Sequence, residues 1–291
     1  MLIGTHISVA GGVDNAPLNA HNIGCEVFQF FSRSPRGGKA PKLTDEVIKN
    51  FRNNLKKYNQ QECYIHAPYY INLASNKKNI YQGSIFVLKE ELERGSKLGV
   101  KYLMTHLGSA KDLGDKKAIQ QVTAGISQVF KNYTGSCQFL IEMSAGSGQI
   151  IGDTFEEIAQ IVSSVRVSSG KTAKQIGVCY DTAHAFESGY DMRDEKSVKK
   201  TLDEFDKILG LDKLKLIHAN DSKTYLGSRI DRHEHIGQGK IGLNGFKALL
   251  KVLSASGGKN INLILETPAG KEKADMRVDD IKILKKIRDK I

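Results

Sequence analysis

Short apolar runs alternate with amphipathic stretches along the whole 291-residue chain. This is the pattern of repeated strand–helix units. The apolar runs predict strands near Leu2–Ser8, Glu26–Phe31, Cys63–His66, Tyr102–His106, Gln138–Glu142, Ile176–Asp181, Leu214–His218 and Asn262–Glu266. Helical spacing fills the intervals. One helix starts from Thr44 as N-cap, with Val47, Ile48, Phe51 and Leu55 on one face, and another covers Ile85–Leu98 and stops at Gly99. Others are predicted over Lys116–Tyr133, Phe155–Val165, Lys196–Leu209, Leu243–Leu253 and Val278–Ile291. About eight strands alternating with about as many helices predict an α/β fold, a (β/α)8 TIM barrel forming one domain over residues 1–291. A doubly wound open sheet is the second choice, because a local pattern does not distinguish closure from openness.

Two connections are long for a compact domain. One follows the second strand, Ser32-Arg33-Ser34-Pro35-Arg36-Gly37-Gly38-Lys39, and the other follows the seventh, from Asn220 to Gly242. Long loops on one face of a rigid scaffold are where binding concentrates.

Composition narrows the classes. Lys and Arg number 43 against 32 Asp and Glu, a formal net charge of +11, which favours a polyanionic partner. Part of that surplus lies on solvated helix faces, such as Lys282, Lys285, Lys286, Arg288 and Lys290, so charge counts only when joined to a site. No apolar run is long enough for a bilayer. The start Met1-Leu2-Ile3-Gly4-Thr5-His6 lacks a basic region followed by an apolar one, so a cytoplasmic location is expected, nucleoid-associated if the source is bacterial. Four scattered cysteines, Cys25, Cys63, Cys137 and Cys179, form no C-x-x-C pair and read as reduced, buried thiols.

The chemistry sits at the strand ends. Six predicted strands finish on His66, His106, Glu142, Asp181, His218 and Glu266. Parallel strands in one barrel bring their C-terminal ends to a common rim, so these six would share a site. His184 follows Asp181 by three residues, and Asp231 and His233 alternate in the seventh loop, where an extended segment points them the same way. Any one of these residues alone is more often a helix cap, an ion-pair partner or a hydrogen-bonded structural histidine. Imidazoles and carboxylates without thiolate suit zinc, manganese or iron, and nine of them suit two or three ions rather than one. His6 is read as a supporting residue, His21 as surface, and His235 as pointing away from His233.

At these residues the chain resembles the endonuclease IV family of apurinic/apyrimidinic endonucleases. The matching stretches are His66-Ala-Pro-Tyr-Tyr-Ile-Asn72-Leu-Ala74, Glu142-Met-Ser-Ala-Gly146, Val178-Cys-Tyr-Asp181-Thr-Ala-His184-Ala-Phe-Glu-Ser-Gly-Tyr190, His218-Ala-Asn-Asp-Ser222, Gly227-Ser-Arg-Ile-Asp231-Arg-His233, Gly237-Gln-Gly239 and Leu265-Glu266-Thr267. They reach from near the N-terminus almost to the last helix.

The resemblance implies three zinc ions, with manganese or iron accommodated at some sites. Glu142 would bridge two of them, His66 and His106 completing the first and Asp181, His218 and Glu266 the second. His184, Asp231 and His233 would hold the third. The implied reaction is hydrolysis of the phosphodiester 5′ to an abasic site in double-stranded DNA, leaving a 3′-hydroxyl and a 5′-deoxyribose phosphate. A metal-activated hydroxide would attack, and Glu266 would also orient or deprotonate the water. Arg36, Tyr69 and Tyr70 would enter the minor groove and fill the gap, with Asn72 nearby, while Arg229 and Arg232 would contact phosphates. Here Gly37 and Gly38 follow Arg36, where larger side chains follow the arginine in some family members. The chain is expected to act as a monomer, with no membrane partner.

Two other classes share the pattern of the strands. A sugar isomerase or epimerase of the xylose-isomerase type uses a similar rim but has no need of a basic surface or of the Asp231-x-His233 pair. A non-catalytic DNA-binding or metal-storage protein would not need nine ligands in one rim.

Overall fold

The main strands are β1 (Ile3–Ile7), β2 (Val27–Phe30), β3 (Glu62–His66), β4 (Tyr102–Thr105), β5 (Gln138–Glu142), β6 (Ile176–Asp181), β7 (Leu214–His218) and, after two short strands in the seventh loop, β10 (Asn262–Leu265). They close into a barrel, all parallel, in the order β1-β10-β7-β6-β5-β4-β3-β2. The structure is a computed structural model and describes residues 1–165, 176–270 and 275–291. Closure rests on the pairing of Ile3 with Leu263 and Thr5 with Leu265, which excludes the open sheet. The barrel therefore agrees with the expected fold, with strand limits within one residue of those predicted.

Inside the barrel, Val27, Tyr64, Tyr102, Met104, Leu140, Cys179, Leu216 and Ile264 pack on one another. A packed interior makes the barrel a rigid floor rather than a pore. Gly4 is needed where β1 meets β2: a Cβ there would lie 1.6 Å from the carbonyl oxygen of Val27. All four cysteines are buried and free. No helix among the described residues is long and apolar enough to cross a membrane.

Nine α-helices are seen among the described residues: α1 (Ala16–Asn22), α2 (Asp45–Lys57), α3 (Lys78–Leu98), α4 (Asp115–Phe130), α5 (Phe155–Ser164), α6 (Thr182–Glu187), α7 (Glu195–Leu209), α8 (Gly242–Ala255) and α9 (Arg277–Arg288). The Thr44 side chain accepts from the Val47 amide at 3.3 Å, so α2 begins where the capping residue predicts. Gly99, at φ 82°, ends α3 in the left-handed conformation that glycine adopts without penalty. That helix starts seven residues before the periodic stretch. Apart from half-buried Tyr81, Lys78–Gly83 lie at the surface and carry no apolar stripe, so the pattern is silent there.

The seventh loop holds two elements that periodicity did not predict, β8 (Asp221–Ser222) and β9 (His233–Glu234), paired antiparallel. The second-strand loop is tied down at both ends. Arg94 of α3 donates through Nη2 to the Ser32 carbonyl and through Nη1 to the Pro41 carbonyl, each at 2.7 Å. Buried Glu91 accepts from Arg33 Nε and from Ser32 Oγ, again at 2.7 Å.

Candidate metal centre

Because the barrel strands are parallel and in register, their last residues form a ring. His66, Glu142, Asp181 and His218 are the final residues of β3, β5, β6 and β7, and His106 and Glu266 follow β4 and β10 by one position. Asp181 caps α6 by accepting from the His184 amide at 2.9 Å, which turns His184 inward on the first turn of that helix. The β9 strand carries His233 and, just before it, Asp231. All nine side chains meet at this rim. Three overlapping groups have potential ligand atoms within 4.8 Å of one another: His66, His106 and Glu142; Glu142, Asp181, His218 and Glu266; and Asp181, His184 and His233. Asp231 adjoins the last group, with Oδ1 3.4 Å from His184 Nε2 and 3.7 Å from His233 Nε2.

Glu142, fully buried, lies at the middle. Its Oε2 is 2.8 Å from His66 Nε2 and 3.6 Å from His106 Nε2, while Oε1 is 2.8 Å from His218 Nδ1. The two carboxylate oxygens thus face two different groups. Glu266 Oε2 is 3.3 Å from His218 Nδ1, and its Oε1 accepts from Gln29 Nε2 at 2.6 Å.

The outer ring nitrogens decide what the inner ones offer. His66 Nδ1 donates to the Ala67 carbonyl at 2.6 Å, His184 Nδ1 to the Met143 carbonyl at 2.9 Å, and His218 Nε2 to Gln29 Oε1 at 2.7 Å. Each acceptor can only receive a hydrogen, so each neutral ring turns a bare lone pair inward. Those lone pairs face carboxylate oxygens, or in the case of His184 the Nε2 of His233 at 3.1 Å. His106 Nδ1 is buried with no hydrogen-bond partner among the described residues. Lone pairs directed at one another are repulsive unless protons or cations lie between them, so the residues fit a group of divalent ions.

The titration behaviour has the same cause. Burial alone would push the Glu142 carboxyl up, but the imidazoles of His106, His218 and His66 hold it well below its usual range. Burial opposes charge on His184, yet the Asp181 and Asp231 carboxylates hold it well above its ordinary value. Burial keeps His106 below its usual value, which suits a neutral nitrogen donor.

The residues outside the ring divide. Tyr69 is exposed to 72 % and Tyr70 to 38 %, beside the rim, with the Tyr69 ring edge-on to Phe31 at 5.1 Å. Arg36 and Arg232 are exposed. Arg229 pairs with Asp153 and donates through Nε to the Gly146 carbonyl at 3.2 Å, with its side chain still 60 % exposed. Asn72 is turned partly inward, its Oδ1 accepting from the Ala74 amide at 3.0 Å. His21 is exposed, and His235 turns away from the ring to Asp280. His6 stands behind the ring, with Nδ1 3.0 Å from Gln29 Nε2.

Gln29 is the residue that sequence reasoning missed. It links His6, His218 and Glu266, and its one signal was a polar side chain inside the otherwise apolar run Val27-Phe28-Gln29-Phe30.

Comparison with known proteins agrees with the barrel fold. The xylose isomerase-like TIM barrel family matches residues 18–287. The chain is 40% identical over 277 residues to a probable endonuclease 4 of Nitrosopumilus maritimus, covering 94% of this chain and 96% of that one. A probable endonuclease 4 of Halothermothrix orenii is 38% identical over 275 residues, again covering 94% of this chain and 96% of the relative. Among solved structures, endonuclease IV from Thermus thermophilus superposes with a TM-score of 0.84 at 30% identity, covering 100% of both chains. A D-tagatose 3-epimerase-like protein superposes at 0.73 with 17% identity, over 100% of this chain and 99% of the other, which is a likeness of fold alone.

Proposed function

The chain belongs to the endonuclease IV family, and on that premise we propose that it is a DNA-repair endonuclease cutting the phosphodiester 5′ to an abasic site in duplex DNA. The observation that carries this reading is the set of nine imidazole and carboxylate side chains at one rim, with ring nitrogens aimed inward by fixed outer hydrogen bonds. In this reading His66, His106 and Glu142 would hold one zinc ion. Glu142, Asp181, His218 and Glu266 would hold a second, and His184, Asp231 and His233 a third. When bound, the ions supply positive charge against the phosphodiester and make water a competent nucleophile at neutral pH.

The side chains do the rest. Glu142 spans two groups because its oxygens face opposite ways. Gln29 fixes one oxygen of Glu266 and leaves the other 3.3 Å from His218 Nδ1, and in this reading Glu266 also orients an attacking water. Among the described residues, no Ser–His or Cys–His pair at the rim competes for the role of nucleophile. The Cys179 thiol beside His218 is pushed up by burial to about 12 and stays protonated.

In this reading the exposed side chains of Arg36, Tyr69 and Tyr70 meet the duplex. Turning a sugar out of the stack costs a few kcal/mol, and a missing base lowers that cost, which is one source of selectivity. In our reading Tyr69 and Tyr70 occupy the vacated space, and Arg229 and Arg232 flank the phosphates.

A duplex oligonucleotide with one abasic site, an undamaged control and a panel of free ketoses test this reading. The expected result is one cut, at the abasic site only, leaving a 3′-hydroxyl. Chelation should abolish it and zinc restore it. Turnover of ketoses without incision would replace this reading with the epimerase one.

Binding should also weaken steeply with salt, since neutralising phosphates releases counterions. Roughly six to ten phosphate contacts predict a loss on the order of 10³-fold or more between about 50 and 200 mM salt. A salt-independent Kd in a fluorescence anisotropy titration would rule out phosphate neutralisation by the basic side chains.

A further inference from the structure

Asp231 and His233, which complete the outermost group of ligands, do not belong to the barrel wall. Asp231 rides on the connection from β8 to β9 and His233 opens β9, which among the described residues pairs with β8 alone and with no strand of the barrel. Besides that two-residue ladder and a bond from the Asp231 amide to Ser147 Oγ at 3.2 Å, three buried carboxylates from three different elements hold the loop.

Asp221, fully buried at the start of β8, accepts five backbone N–H groups. Oδ1 receives those of Ser222 and Ile241 at 2.8 and 2.9 Å, and Oδ2 those of Gly237 and Gly239 at 3.0 Å and of Gly242 at 3.1 Å. This cinches the base of the loop. It also accounts for the glycine of Gly237-Gln-Gly239, since a Cβ on Gly239 would lie 2.4 Å from Asp221 Oδ1. Glu187, fully buried at the end of α6, sits within the loop. Its Oε1 accepts from Ser222 Oγ at 2.7 Å and from Thr224 Oγ1 and the Arg232 amide at 3.2 Å, while its own carbonyl receives the Arg229 amide at 2.9 Å. Asp280, buried on α9, takes the far side. It accepts from His235 Nδ1 and Thr267 Oγ1, each at 2.7 Å, and from the Ile236 amide at 2.9 Å.

The attachments bracket the ligands: one falls on residue 232 between Asp231 and His233, others on residues 235 and 236 just beyond. We infer that Asp221, Glu187 and Asp280 are positioning residues that hold Asp231 and His233 against His184, so that the outermost metal site exists only while this loop is clamped. The inference rests on the metal reading above. An ion bound by barrel residues alone keeps its place when the loop loosens, whereas this one loses two of its three ligands together. Groups that orient ligands in this way typically govern metal affinity by about 10–100-fold.

The test uses the full-length protein carrying Asp221→Asn, Glu187→Gln or Asp280→Asn, with His233→Ala for comparison. Hydrogen exchange on the metal-free proteins should show faster exchange of amides between residues 223 and 236, with the barrel strands unchanged. Titration with zinc against a competing chelator should show one equivalent weakened about 10–100-fold and the others as in the parent. Excess zinc should restore incision in the three carboxylate variants but not in His233→Ala, because a displaced ligand can be recaptured and a deleted one cannot. Parental exchange in the loop would overturn the clamp, and so would a loosened loop with parental zinc affinity. If Asp221→Asn fails to fold, Asp280→Asn decides, since it acts from a separate helix. If His233→Ala binds zinc as the parent does, the metal reading fails, and exchange alone judges the clamp.

Discussion

Glu142→Gln is expected to abolish incision at abasic sites while leaving the barrel folded. The side chain is fully buried and each of its oxygens serves a different group of imidazoles: Oε2 faces His66 and His106, Oε1 faces His218. Glutamine keeps the volume, so no cavity opens, but it removes the negative charge and turns one oxygen into an N–H₂ that can only donate. Two adjacent groups lose their shared anion at once. Loss of a single electrostatic contributor in an active site costs about 10²–10³ in kcat, so single-turnover incision should fall by at least about 10³-fold. Elemental analysis should find less metal in the same preparation, and far-UV circular dichroism should match the parent. Parental incision by this variant would remove the bridge from the proposed mechanism.

The largest expected effect on stability lies away from the ring. Glu91→Ala should destabilise the protein by about 3–5 kcal/mol, the typical cost of leaving buried charge without its partner. Glu91 is fully buried and accepts from Arg33 at 2.7 Å, with Arg94 Nε 3.6 Å away, and both guanidinium groups are themselves buried. The alanine variant leaves Arg33 with Glu90 as its remaining carboxylate, takes from Arg94 the carboxylate beside it, and leaves the Ser32 hydroxyl without its acceptor. A midpoint drop on the order of 10 °C should follow in a chain of this size. The same change frees the start of the loop that carries Arg36, so affinity for an abasic duplex should fall as well. A Tm indistinguishable from that of the parent would mean that solvent reaches these arginines after the substitution.

Neither Glu91 nor its partners could be singled out from the chain alone. Lys89-Glu90-Glu91-Leu92-Glu93-Arg94 reads as a solvated helix face, because a charged residue buried against a loop has the same letters as one in water. Gln29 was hidden for a related reason: its three partners lie 23 to 237 positions away. The small β8–β9 ladder has two residues per strand, too few for a period. The ring itself was far more legible. His66, Glu142, Asp181 and His218 end their strands, and a strand end in a parallel barrel has one destination. The alternation of Asp231 and His233 likewise announced a shared direction.

The local pattern by itself determined the order of the eight barrel strands and of seven of the nine helices seen among the described residues, the polar residue waiting at six strand ends, and the kind of chemistry those side chains permit. These are properties of neighbours in the chain, governed by backbone periodicity and by what each side chain can donate or accept. Tertiary structure alone decided that the sheet closes through β1 and β10, and that hydrogen bonds to carbonyls and to Gln29 turn the ring lone pairs inward. It also decided that buried carboxylates on β8, α6 and α9 grip one loop. Such contacts join residues tens to hundreds of positions apart, and their energy depends on burial and direction, neither of which leaves a periodic trace in the sequence.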